Sequence, residues 1–189
     1  QPGDPAGIGP DIFLSLMHEG FFEYIKANVV CMGDKELFHS RSKELGYSLE
    51  INSFSNINDI NEKVGFLEII KCHDISSGIL NSTNSEYVIE NLDFAIDTCI
   101  KKMGFGLVTG PISKENIVEG GYSFSGHTER IMQKTNSDNV LMLLASERLK
   151  VALATTHMPI SKVPESITKE LIINKVKILN QELKEKFNI

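Results

Sequence analysis

Two histidines out of five stand where side chains could do chemistry. His127 lies in Ser125-Gly-His-Thr-Glu129, where a glycine frees the backbone and a histidine and threonine open a predicted helix. N–H groups at a helix start point outward, so His127 and Thr128 make a plausible cradle for a phosphate monoester. The same residues can be read as a capped helix whose histidine packs. A serine nucleophile at Ser125 would want a G-x-S-x-G elbow, which is absent. His157 ends the run Val151-Ala-Leu-Ala-Thr-Thr-His157-Met-Pro159, which reads as a buried strand stopping where polar side chains emerge. The carboxyl ends of strands in an open α/β sheet are where ligands bind, and imidazole is a favoured ligand for zinc. A catalytic zinc usually takes three protein ligands. His18 and His39 fall on predicted helices, His73 sits in a loop beside Asp74, and no histidine follows residue 157. Taken alone, His157 is either one third of a metal site or a capped loop histidine.

Two further loops carry glycine next to polar groups. Gly3-Asp-Pro-Ala-Gly-Ile-Gly9 is not the G-x-G-x-x-G dinucleotide fingerprint and has no strand ahead of it. Its glycines suit either a tight turn or a loop whose N–H groups approach an anion. In Thr109-Gly-Pro-Ile-Ser-Lys114 a predicted strand runs into Gly-Pro, with a lysine four residues beyond the glycine. That ammonium could meet a phosphate or carboxylate, or could be solvated beside a turn.

The elements that must position these loops alternate between strands and helices. Pro10 opens a helix carrying Ile12, Phe13, Leu16 and Met17 at helical spacing. Val29–Met32 reads as a buried strand, Asp34 as the cap of the next helix, and Gly46 as its end. Leu49–Phe54 and Phe66–Ile70 are weaker strands, and from Ser85 a long helix carries the stripe Val88, Ile89, Leu92, Ala95, Ile96, Cys99, Ile100, Met103 up to Gly104. Phe105–Thr109 reads as a strand, a short helical turn covers Ser113–Val118, Val140–Ala145 and Val151–Thr155 form a hairpin, and a last helix runs from near Ser166 to Phe187. This order predicts an α/β architecture with a mainly parallel sheet flanked by helices and one antiparallel pair. A boundary is expected near residues 90–105, with 1–100 in a first α/β domain and 101–189 in a second.

Composition narrows the partners. The chain has 189 residues, 41% hydrophobic and 23% charged, as in ordinary globular domains. A net charge of −6 argues against a general nucleic-acid or anionic-membrane binder. Cys31, Cys72 and Cys99 are odd in number with no C-x-x-C, which predicts three structural thiols in a reducing cytoplasm. No stretch approaches the ~18 apolar residues of a membrane span, and no basic-then-apolar secretory signal is present.

Taken in order, Gly-Asp-Pro-Ala-Gly-Ile-Gly-Pro-Asp (3–11), Thr-Gly-Pro-Ile-Ser-Lys (109–114), Ser-Gly-His-Thr-Glu (125–129) and Ala-Thr-Thr-His-Met-Pro (154–159) resemble the motifs of the 4-hydroxythreonine-4-phosphate dehydrogenase family. That family makes pyridoxal phosphate and has the two-domain isocitrate/isopropylmalate dehydrogenase-like fold. The resemblance implies NAD-dependent oxidation and decarboxylation of 4-phosphooxy-threonine to 3-amino-2-oxopropyl phosphate. It also implies a divalent metal, zinc first with magnesium or cobalt as alternatives, and a cytoplasmic homodimer whose active site is shared between subunits. His157 would be a metal ligand, and His127 and Thr128 would bind the phosphorylated amino-acid substrate. Family members are longer, begin with a strand ahead of the glycine loop, usually have glutamate where Asp11 stands, and carry their other metal histidines and much of the NAD site further along. The expectation is therefore an N-terminal portion, inactive by itself. A metal-dependent hydrolase or lyase on a small phosphorylated metabolite, and a non-catalytic binding module, remain the alternatives.

Overall fold

The computed structural model describes residues 1–101, 106–137 and 139–189. It divides into two compact units, Gln1–Thr135 and Asn136–Ile189. The long helix near which a boundary was expected, together with residues 114–135, belongs to the first.

In the first unit, helix α1 (Gly9–His18) begins with Gly9 and Pro10, and Pro10 occupies the first turn where its missing N–H costs nothing. Strand β1 (Val29–Met32) follows, then helix α2 (Lys35–Glu44), the two-residue strand β2 (Ser53–Phe54) and β3 (Val64–Leu67). All pairings are parallel in the order β1-β3-β2, with Val29 opposite Val64 and Ser53 opposite Phe66. Parallel strands need crossovers, and the helices supplying them cover the sheet. The expected strand at Leu49–Phe54 shrinks to two residues, and the one at Phe66–Ile70 lies earlier, at Val64–Leu67.

Helix α3 (Ser85–Lys101) is the spine of this unit. Val88, Ile89, Leu92, Ala95 and Ile96 are buried as the 3.6-residue period requires, while Ile100 is exposed. Met103 and Gly104 lie outside the described residues. The stripe meets Leu14, Phe38 and Phe66 in one core, where the rings of Phe13 and Phe38 stand 5.6 and 5.0 Å from Phe66. Helices α4 (Lys114–Glu119) and α5 (His127–Thr135) pack on α3. The expected strand Phe105–Thr109 is only partly described, and residues 106–109 form no strand. They are tied instead through Val108 O and Gly110 N–H to Gln1.

Asp34 is the hub between sheet and helices. Its Oδ1 caps α2 by accepting from Glu36 N at 2.8 Å, and its Oδ2 accepts from the backbone N and thiol of Cys72, both at 3.1 Å. Its own N–H donates to the Tyr87 hydroxyl at 3.2 Å. Burial, then the Asp34 bond, push the Cys72 thiol well up, and burial pushes Cys31 up to about 12. Both are therefore unreactive thiols. Asp34→Ala should cost about 1–2 kcal/mol of stability. Asp34→Asn should keep most of the cap. Equal losses for the two in urea unfolding would rule out the capping role.

The second unit holds strands β4 (Leu143–Ala145) and β5 (Lys150–Ala152), a single turn α6 (Val163–Ser166) and helix α7 (Lys169–Phe187). The expected hairpin is present and antiparallel, closed by Ser146 N–H to Leu149 O at 2.8 Å. Thr168 caps α7 through Leu171 N at 3.1 Å. The strand leading to His157 is not buried as expected: Val151 is 40% exposed and Leu144 57% exposed. No helix among the described residues is long and apolar enough to cross a membrane.

Candidate functional site

The glycine loop and the Gly110 loop of the first unit are pressed backbone to backbone. Asp4 N–H donates to Pro111 O at 3.1 Å and Gly110 N–H to Gln1 O at 2.8 Å. A Cβ on Gly110 would lie 2.0 Å from Pro2 O, and one on Gly3, whose φ is +93°, 2.2 Å from Pro111 O. Both positions demand glycine. Within the loop, Gly7 N–H reaches Asp4 O and Ala6 N–H reaches Asp4 Oδ1, each at 3.0 Å. The N–H groups of Asp4, Ala6 and Gly7 are thus occupied inside the fold, and these glycines serve close packing between loops.

Asp4 is buried and also accepts from Asn116 Nδ2 at 3.4 Å, which ties the glycine loop to α4; burial leads in raising its pKa. Ser113 caps α4 by accepting from Asn116 N at 3.2 Å. These contacts place Lys114 at the first position of α4. Across from it, α5 is fixed on α3 by a two-bond pair, Arg130 Nε to Asp93 Oδ1 at 2.8 Å and Nη2 to Oδ2 at 2.5 Å. Lys134 Nζ to Asp97 at 3.0 Å adds a second clamp. The start of α5, and with it His127, is held by side chains one and two turns further along.

His127 packs edge-on to Phe124 with ring centroids 6.0 Å apart, and its Nε2 is buried without a hydrogen-bond partner. Its pKa is lowered, first by burial and then by the Lys114 ammonium, so the imidazole is neutral near pH 7. A Cβ on Gly126 would sit 3.3 Å from Lys114 Nζ and 2.5 Å from Glu129 Oε2. The missing Cβ leaves a narrow slot at the start of α5 into which the glutamate and lysine side chains pack. An unsatisfied buried nitrogen costs free energy unless a ligand or water meets it, and a cation beside a helix start favours an anion there.

His157 belongs to the second unit, where its imidazole is exposed and its backbone is left-handed at φ +54°. One imidazole is a suitable donor for zinc or cobalt, but it is not a ligand set. Among the described residues no group of three or more His, Cys, Asp and Glu could hold an ion. The remaining histidines serve elsewhere: His18 stacks on Tyr47 at 4.1 Å, and His73 donates its backbone N–H to Asn84 at 2.7 Å.

A cleft of about 500 Å³ lined by Asp34, Glu36, Arg41, Glu44, Cys72 and His73 shares no residue with the His127 slot. Its arginine is already neutralised, with Nε 3.1 Å from Asp11 and Nη2 donating to Pro5 O at 3.3 Å. Sequence reasoning missed Asp4, Asn116 and the Arg41–Asp11 pair. An aspartate between glycine and proline was the one available signal, since Asp readily bonds backbone two residues on.

The fold is α/β, with an unpartnered buried imidazole nitrogen and a lysine at the start of a helix. The family model described as Pyridoxal phosphate biosynthetic protein PdxA matches residues 25–189, and the chain belongs to that family. A relative from Sodalis glossinidius (strain morsitans), named 4-hydroxythreonine-4-phosphate dehydrogenase, is 36% identical over 192 residues covering 100% of this chain. One of the same name from Vibrio cholerae serotype O1 is 37% identical over 191 residues covering 99%. The chain spans 57% of the length of each of these relatives. Two crystal structures of proteins of that name share the fold. The Klebsiella pneumoniae structure has a TM-score of 0.83 at 21% identity, covering 97% of this chain and 56% of its own. The Burkholderia phymatum structure has a TM-score of 0.79 at 23% identity, covering 96% and 56%.

Proposed function

We propose that the chain is part of an enzyme of pyridoxal phosphate synthesis that oxidises and decarboxylates 4-phosphooxy-threonine with NAD, giving 3-amino-2-oxopropyl phosphate. The family membership supports the pathway and the reaction class. The observation that carries the substrate end is the unpartnered buried Nε2 of His127 at the start of α5, in the field of the Lys114 ammonium. In this reading His127 and Thr128 bind the phosphate of the substrate. Holding the phosphate at a rigid helix start fixes the distance and angle of the carbon that gives up hydride, which is how positioning lowers a barrier. His157 supplies one ligand to a divalent ion, zinc before magnesium or cobalt, and the enzyme works as a cytoplasmic homodimer with a site shared between subunits.

The test is to supply the whole enzyme of which this chain is part with 4-phosphooxy-threonine, NAD and zinc, and to follow NADH absorbance and carbon dioxide together, the 189-residue chain by itself being expected to give no turnover. The reading expects the two in a one-to-one ratio, with His127→Ala lowering kcat/KM by about 10- to 100-fold, the loss of one charge-assisted contact. Release of inorganic phosphate without NADH would overturn it in favour of a hydrolase.

A further inference from the structure

We propose that Lys114 is a second anion-binding group of this site, its ammonium holding the ligand's anionic group from the α4 side while His127 and the start of α5 hold it from the other. The proposal rests on the reading of His127 and Thr128 as a phosphate cradle and adds a residue from a different element to it.

Three observations converge. Gly126 is the residue between the two elements, and its missing Cβ would be 3.3 Å from Lys114 Nζ and 3.6 Å from Lys114 Cε. The Glu129 carboxylate is nearer still, at 2.5 Å, so both side chains can come this close to the start of α5 only because residue 126 is glycine. Lys114 makes no hydrogen bond or ion pair among the described residues. Its neighbour at the slot, Glu129, sits in the first turn of α5, where the helix dipole itself favours a carboxylate. The lysine is thus a cation with no ion pair of its own, standing near the Glu129 carboxylate and an imidazole whose Nε2 also lacks a partner.

The scaffold supports a fixed role for this side chain rather than a wandering one. Lys114 starts α4 immediately after its Ser113 cap, and Asn116 anchors the same turn to Asp4 of the glycine loop. A lysine is a compact point charge with three donors, suited to the outer oxygens of a phosphate whose other oxygens face backbone N–H groups. Its charge adds to burial, the larger cause, in keeping the imidazole neutral, and the chain's N-terminal ammonium acts in the same direction.

Titration calorimetry with inorganic phosphate as the probe tests this on the purified protein at two salt concentrations. Lys114→Met should weaken phosphate binding about tenfold and flatten its salt dependence. Lys114→Arg should retain most of the affinity, and Gly126→Ala should weaken it because the added methyl displaces the Glu129 carboxylate and crowds the lysine. The exposed position of Lys114 means that folding is not at issue. Weakening in His127→Gln with no change in Lys114→Met would overturn the lysine assignment and leave the cradle standing. Wild-type affinity in His127→Gln, or no phosphate binding by the wild type, would overturn the cradle and the lysine assignment with it.

Discussion

Gly110→Ala should destabilise the first unit by about 3 kcal/mol, the upper end of what one added methyl costs in a packed interior. The new Cβ would lie 2.0 Å from Pro2 O, 2.4 Å from Pro2 C and 3.0 Å from Gly3 N. All three are backbone atoms, so no side chain can rotate away and one loop must leave the other. That movement breaks Gly110 N–H to Gln1 O and strains Asp4 N–H to Pro111 O. Gly7→Ala is the control from the facing loop: its Cβ would be 3.3 Å from Asp4 O, a crowding that small shifts relieve, at a cost within about 1 kcal/mol. The readout is specific, because Tyr24, Tyr47, Tyr87 and Tyr122 all lie in Gln1–Thr135 and the chain has no tryptophan. Tyrosine fluorescence in a urea titration therefore follows this unit alone. Equal midpoints for the two variants would refute the account of the loop packing.

Much of what positions the site is written locally. The Asp34 cap, the α3 stripe, the hairpin and the helix opening at Ser125–Glu129 each depend on residues a few positions apart, where capping, periodicity and turn chemistry act. The Val151–Thr155 run shows the limit of such reading. Its small and β-branched residues fit a strand wherever they occur, but whether the strand is buried depends on what packs against it, and Val151 is 40% exposed. The pairs Asp4–Asn116, Asp11–Arg41 and Asp93–Arg130 join residues 112, 30 and 37 positions apart. No local pattern links them, because loop closure sets no preferred spacing for a long-range pair. The same holds for Lys114 and Gly126. The sequence shows a lysine and a glycine in two separate motifs, and only the packing of α4 and α5 on α3 puts one beside the other. The prominence of His157 in the sequence came from a resemblance between whole motifs, and one exposed imidazole shows how little of a shared site a single residue can carry.

The neutral state of His127 leads to the second large effect. Its pKa is lowered below the ordinary 6.5, by burial first and by Lys114 next. The unfolded chain therefore takes up a proton at a pH where the folded chain does not, and stability falls on acidification. The sign follows directly: the contribution is complete above about pH 6.5 and is lost as pH falls through the folded pKa. A bound phosphate reverses the balance. A dianion beside the ring stabilises the imidazolium, so the pKa must rise on binding, and by linkage phosphate must bind more tightly as the ring becomes protonated. Proton NMR of the His127 ring should show titration below 6.5 in the free protein and above it with saturating phosphate. His127→Gln should remove the ring's part of the pH dependence and, on the reading of the site as a phosphate cradle, weaken phosphate about 10- to 100-fold. Lys114→Met should raise the free-protein pKa while lowering phosphate affinity, two opposite movements from one lost charge. A lysine that does not meet the phosphate would produce the first movement without the second. Titration of the free ring at or above 6.5 would contradict the burial and charge account of His127, whatever the phosphate affinity.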